Sequence, residues 1–272
     1  VNIFSNPITW QGGECYKLFN VFYFYKLLWL WHYLINNILS GKKMKKLYSI
    51  ITIFLVTSCA TTSDFSLDYI KPSLVQIKNE KVFDTEFDEI WDNLVGDLSK
   101  TFYVINNIDK QSRLLNVSFR ITNNISEYVD CGVSDRSFSL ASKVENTKYK
   151  VADPSSYLWE YTNQTNLPNT LYAEIFRMPS LEGRANIYIA PTEKGTKVSV
   201  NARYSWNIRI ESVSYLYMPL YDSHRKISER RPDESVNEPT VFNTNQMSTA
   251  YDSDGVNCIS TGKFENDILD LI

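Results

Sequence analysis

The stretch that decides the fold runs from Gly183 to Ile210 and reads G-R-A-N-I-Y-I-A-P-T-E-K-G-T-K-V-S-V-N-A-R-Y-S-W-N-I-R-I. In its second half Val198, Val200, Ala202, Tyr204 and Trp206 alternate with Lys197, Ser199, Asn201, Arg203 and Ser205. A strand turns successive side chains to opposite faces, so a period of two gives one apolar and one polar face. Thr196 to Ile210 is therefore expected as one arm of a hairpin and Gly183 to Pro191 as the other. The turn between them is Pro191-Thr192-Glu193-Lys194-Gly195.

Upstream, Leu115, Val117, Phe119 and Ile121 repeat the same alternation against Leu114, Asn116, Ser118 and Arg120. Phe102 to Ile108 reads as a further strand, with Asp109-Lys110-Gln111-Ser112 as the turn. Before them the period changes. Phe87, Ile90, Trp91, Leu94, Val95, Leu98 and Phe102 recur at helical spacing and predict a helix from Glu86 to about Thr101. Asp84 or Thr85 is placed to cap it, and Glu86, Asp88 and Glu89 sit where the helix dipole favours acids. The middle, about 122–180, is rich in Asn, Ser, Thr and Tyr and predicts short strands and loops. Residues 222–255 are polar and interrupted by proline, as in a long surface loop. A last helix is expected from about Ser260-Thr261 to Ile272. This order predicts an α+β fold for residues 81–272: an antiparallel sheet with a long amphipathic helix on one face and a short C-terminal helix.

The N-terminal part carries a different signal. From Met44 the chain reads Met-Lys-Lys, an apolar run from Leu47 to Val56, then Thr57-Ser58-Cys59. A positive start, about ten apolar residues and small residues at a cut site form the layout of a secretory signal peptide over 44–58. The run is too short to span a bilayer, which takes about 20 residues. Val56-Thr57-Ser58-Cys59 resembles the bacterial lipobox. That resemblance implies lipid attachment at Cys59, cleavage before it and acylation of the new N-terminus. Ala60 follows Cys59 where an aspartate favours the inner membrane, so the resemblance points to the outer membrane of a Gram-negative cell. Residues 59–80 then read as a lipidated tether, with a first strand around Leu74–Ile77 as the alternative. Residues 1–43 lie upstream of Met44 and are expected to be a spurious extension. The alternative is a membrane helix over Leu18–Leu39, against which stand Lys26, His32 and three asparagines.

From Lys81 to Ile121, the order of strand, Trp91-bearing helix and two strands around Ile108-Asp109-Lys110-Gln111-Ser112 resembles a known fold. It is that of the helix-grip domains in the C-subunit lipoprotein of the outer-membrane β-barrel assembly machine. Leu181 to Ile189 and Cys258 to Lys263 resemble segments of uncharacterised proteobacterial lipoproteins, a likeness that implies no chemistry.

Charge narrows the partners. The chain carries −3 overall; residues 1–59 hold six lysines against Glu14, or +5, which leaves −8 for the remainder. Nucleic-acid binding needs a basic footprint, so it is not expected, although a local basic patch remains compatible with the balance. Beyond Cys59 only Cys131 and Cys258 are available for pairing in the mature chain. An oxidising compartment favours closing them as a disulfide, with two buried free thiols as the alternative. No Cys/His set has zinc spacing, and no cofactor is expected.

The remaining candidates are weak by chemistry. Asp222-Ser223-His224 contains the residue types of a triad, but triads assemble in space rather than in sequence, and there is no G-x-S-x-G elbow. Asp252-Ser253-Asp254-Gly255 has its glycine two residues early for a calcium loop. Glu127, Asp130, Glu160 and Glu174 are the residue type for glycan cleavage, with separations that sequence does not give. Tyr157, Tyr161, Tyr172, Tyr188, Tyr204, Tyr215, Tyr217 and Tyr221 suit either a binding surface or ordinary strands. The resulting expectation is a membrane-anchored envelope lipoprotein with a non-enzymatic binding or scaffolding domain and an envelope protein as partner. A cell-wall glycan hydrolase and a carrier of a lipid-like ligand between helix and sheet are the alternatives.

Overall fold

The computed structural model describes residues 64–160, 170–232, 239–248 and 255–272. The first half comprises β1 (Asp64–Ile70), β2 (Glu80–Phe83), α1 (Phe87–Leu98), β3 (Val104–Asp109), β4 (Leu114–Ile121), β5 (Val129–Asp130), β6 (Val133–Leu140), β7 (Lys143–Lys150) and β8 (Ser155–Glu160). The second half comprises β9 (Thr170–Thr192), β10 (Gly195–Met218), β11 (Ser223–Lys226), β12 (Arg231–Pro232), β13 (Thr240–Asn243), β14 (Ile259–Ser260) and α2 (Lys263–Leu269).

The alternation first seen at Gly183–Ile210 extends far beyond that stretch. Strands β9 and β10 have 23 and 24 residues and pair without interruption from the turn to Thr170 and Tyr217. At about 3.3 Å per residue each would reach roughly 75 Å if straight, several times the usual strand. Along the free edge of β9 lie β4, opposite Leu181–Tyr188, and β8, opposite Tyr172–Arg177. Along the free edge of β10 lie β2, β13, β12 and β11 in turn, and β3 extends the sheet beyond β4. Strands β1, β6 and β7 form a separate three-stranded sheet, and β5 pairs with β14.

The turn closes on Glu193-Lys194, after which Gly195 takes φ +110°. A Cβ there would sit 2.0 Å from the Phe83 carbonyl oxygen, so glycine both permits the turn and lets β2 approach.

Beside the turn, Leu181, Ala185, Ile187, Val198, Val200 and Tyr204 face one way and are fully or almost fully buried. Ile90, Trp91, Leu94 and Leu98 of α1 and Phe264, Ile268 and Leu269 of α2 join the same core. Phe119 lies among Tyr103, Tyr128 and Phe264, with ring centroids 4.6–5.9 Å apart. It sits directly against Gly183, where a Cβ would come within 2.2 Å of its ring. Glu265 is wholly buried in this core and accepts hydrogen bonds from Tyr204 (2.7 Å), Thr244 (2.7 Å) and Ser260. Three hydroxyl donors offset the desolvation of that carboxylate.

The far half of the hairpin packs differently. Arg136 of β6 stacks over Tyr157, Tyr157 stacks on Tyr149 of β7, and Arg177 of β9 lies over Tyr149. The centre-to-centre distances are 3.9, 5.8 and 4.9 Å. Two guanidinium groups, each on a residue at most 3 % exposed, thus face aromatic rings. Arg177 also donates to the Val151 carbonyl and the Ser155 hydroxyl. This interleaved stack fastens the three-stranded sheet to the long hairpin.

The α+β expectation is overturned. The described residues are mostly β, with 58 % strand and 13 % helix, and the two helices among them are short. Among the described residues there is no long amphipathic helix packed on a sheet, so the helix-grip architecture expected for them does not apply. The helix at Phe87–Leu98 lies where its spacing placed it, but it ends after 12 residues, and Phe102 is 57 % exposed in the turn beyond. No side chain caps its N-terminus, where Glu86 is extended. The added strand content comes from polar segments such as Lys143–Lys150, whose apolar residues are too few to show a period. Residues 222–255, expected as a loop, contribute β11, β12 and β13 to the edge of the large sheet. Within the stretch read as a tether, Asp64–Ile70 pairs with β6 along its full length. No helix among the described residues is long and apolar enough to cross a membrane.

Candidate functional site: the uncovered face of the sheet

Among the described residues, both helices lie on one side of the turn half of the hairpin, and none covers the opposite face. Strand alternation decides what it carries: Glu182, Arg184, Asn186 and Tyr188 from β9, and Lys197, Ser199, Asn201, Arg203 and Ser205 from β10. From β4 come Asn116, Ser118 and Arg120. Strand register sorts these residues into rows. Asn116 lies opposite Asn186, and Asn186 opposite Asn201. A bulge in β3 brings Asn106 and Asn107 to the same level, and Asn79, just before β2, reaches Asn201 from the other side. The next row holds Ser118, Arg184, Arg203 and Asn243.

The amides are linked. Asn106 donates to Asn116 Oδ1 at 3.1 Å, Asn116 donates to Asn186 Oδ1 at 2.7 Å, and Asn79 donates to Asn201 Oδ1 at 3.0 Å. In the adjoining row Arg184 pairs with Glu182 at 2.6 Å. Arg203 has no ion pair among the described residues. Lys197 pairs with Glu80 at 2.7 Å, and that hydrogen bond, followed by the lysine charge, holds the Glu80 carboxyl below its ordinary value. Within β2, β3, β4 and the turn half of β9 and β10, this face presents Arg120, Arg184, Lys197 and Arg203 against Glu80, Asp109 and Glu182. It is a locally basic surface on an acidic body. An open depression of about 520 Å³ lies over Asn116, Arg184, Asn186, Asn201, Arg203 and Asn243. A second, of about 560 Å³, lies further along, lined by Arg120, Asn207 and Arg209 among others.

The residues singled out from sequence fall elsewhere. Cys59, the lipid-attachment candidate, lies outside the described residues, as do 1–43, 44–58, Tyr161 and Asp252–Asp254. Cys131 and Cys258 form a disulfide, both fully or almost fully buried. His224 shares a 3.1 Å hydrogen bond with the Tyr172 hydroxyl, while Asp222 accepts one from Tyr217, so the triad residue types serve separate tyrosines. Asp130 lies in the β5–β14 pair and Glu127 just before it, whereas Glu160 and Glu174 lie on β8 and β9 in the far half of the hairpin. The fold does not gather all four: register makes Glu160 and Glu174 diagonal neighbours on one face, without Glu127 and Asp130. Tyr157, Tyr172, Tyr204 and Tyr217 are core residues, but Tyr188 is 43 % exposed on the uncovered face. Leu94, Leu98, Leu115 and Ile187, each 0 % exposed, pack the space between helix and sheet that a lipid-like ligand would need.

Sequence reasoning separated the polar side of β4 and β10 but missed the asparagine row. The alternation that shows each polar face was visible, whereas the register that aligns Asn116, Asn186 and Asn201 was not. The chain matches no protein-family model, no curated protein and no solved structure.

Proposed function

We propose that this chain is an exported, lipid-anchored envelope lipoprotein whose β-domain is a non-enzymatic binding module, with the uncovered sheet face as its binding surface. The observation that carries the location is the run from Met44 to Cys59: a positive start, a short apolar segment and a lipobox-like end. The buried Cys131–Cys258 disulfide supports it, because such bonds persist in oxidising compartments. Support for a binding role comes from the uncovered face, where uncharged amides and arginines are arrayed on a rigid sheet. Side chains held by strands are placed more precisely than those on loops.

The test of location is intact mass spectrometry of the membrane-fraction protein from its native host, beside a Cys59→Ala variant. A mass of residues 59–272 plus acyl groups, lost in the variant, is the expected result. A mass that retains residues 1–58 overturns the anchor.

A further inference from the structure

This inference rests on the reading of the uncovered face as a binding surface and adds the chemistry of its ligand. We propose that the asparagine row, together with Arg184 and Arg203, binds a linear acidic polysaccharide.

The hydrogen-bond directions carry the argument. The amide chain runs inward from both ends of the row and stops at Asn186 and Asn201, which lie directly opposite each other. Each central residue accepts with its oxygen, and neither NH2 group has a protein acceptor among the described residues. Each NH2 carries two N–H donors. Arg203, two residues from Asn201 on the same face, adds a guanidinium with no ion pair among the described residues. The centre of the site thus has surplus donors and calls for a ligand rich in acceptors. Arg203 favours one that carries negative charge as well.

The geometry favours a chain over a small anion. Neighbouring strands are about 4.8 Å apart, so the row from Asn79 to Asn106 spans roughly 19 Å. That strand spacing is close to the length of one pyranose unit, so successive sugars of an extended glycan meet successive amides. Tyr188, two residues from Asn186 on β9, presents an exposed ring for a sugar to stack against. Four cations against three acids is too thin a footprint for nucleic acid.

The experiment is titration calorimetry of the full chain with three probes. These are a linear oligogalacturonate long enough to cover the row, its fully methyl-esterified counterpart, and polyphosphate of similar length. The expected result is binding of the oligogalacturonate at least about tenfold tighter than of either other probe, weakening with salt. Arg203→Ala should weaken it about fivefold, the upper end for an exposed charge pair. Asn201→Asp keeps the shape and the bond from Asn79 but turns two donors into a carboxylate, and should abolish binding. Equal binding of the acid and its ester overturns the requirement for charge. Equal binding of polyphosphate overturns the role of the sugar. No binding to any probe overturns the inference, while the mass measurement above tests the anchor separately.

Discussion

Removing the Cys131–Cys258 bond tests how much of the domain's stability is covalent. The bond joins positions 127 residues apart. Closing a loop of that length removes about 16.5 cal/mol/K of unfolded-chain entropy, or about 4.9 kcal/mol at 25 °C. Register places the cysteines next to the β5–β14 pairs Asp130–Ile259 and Val129–Ser260, so the bridge continues an existing ladder. The folded chain therefore already holds the two sulfurs near each other, and the main effect falls on the unfolded state. For a domain of this size, about 4.9 kcal/mol corresponds to a Tm drop of roughly 10–20 °C. The assay is thermal unfolding of the double variant Cys131→Ala/Cys258→Ala beside the oxidised protein. The same burial that makes the loss large also shields the bond, so a reductant should open it only on global unfolding. A Tm change under about 3 °C, or rapid alkylation of both sulfurs under native reducing conditions, would refute the reasoning.

Three further outcomes are expected. Gly183→Ala drives a methyl into the Phe119 ring and should cost about 1–3 kcal/mol, whereas Gly96→Ala, with open space in α1, should stabilise by a few tenths to about 1 kcal/mol; denaturant midpoints of the two variants should shift in opposite directions. Arg136→Met removes a buried charge that has no carboxylate partner and one unpaired nitrogen among the described residues, so stability should hold or rise by up to a few kcal/mol; a clear fall in Tm would show that the stack over Tyr157 outweighs desolvation. Burial, then the Glu265 charge, raises the Tyr204 hydroxyl above its ordinary value of 10.0, and burial, then the bond to Asp267, raises that of Tyr103. Their stabilisation is complete below about pH 10 and is lost as pH rises above it, because the unfolded chain ionises first. Unfolding midpoints should therefore fall above pH 10, and a flat profile there would contradict the burial of these hydroxyls.

Particular elements show what could be read from sequence. The helix at Phe87–Leu98 was legible because one face had to be apolar at a 3.6-residue period. Strand β4 was legible for the matching reason at a period of two. The cysteine pair followed from there being two candidates and an oxidising destination. The three-stranded sheet was not legible. Strand β7 reads Lys-Val-Glu-Asn-Thr-Lys-Tyr-Lys, and its inward side is held by the arginine–tyrosine stack rather than by aliphatic residues. Nor was the length of β9 and β10, since Arg177 and Pro179 occupy buried positions where an apolar repeat would be expected. Strand β1 escaped because its alternation is shallow, with only Phe65 and Tyr69 partly buried. The candidate site shares the difficulty: each asparagine looks like an ordinary solvent-facing residue until pairing across five segments sets them in line.

On the anchor proposed above, the position of β1 would limit where this domain can act. Asp64 follows Cys59 by five residues, which span at most about 18 Å when fully extended. The Tyr69 hydroxyl bonds to the Cys131 carbonyl and to the backbone of Asn257, so the start of the sheet is fixed to both arms of the disulfide. On the proposed lipid anchor at Cys59, the domain would be a short-leashed body whose three-stranded sheet rides close to the lipid headgroups, and its reach from the membrane would be set by the long hairpin rather than by the leash.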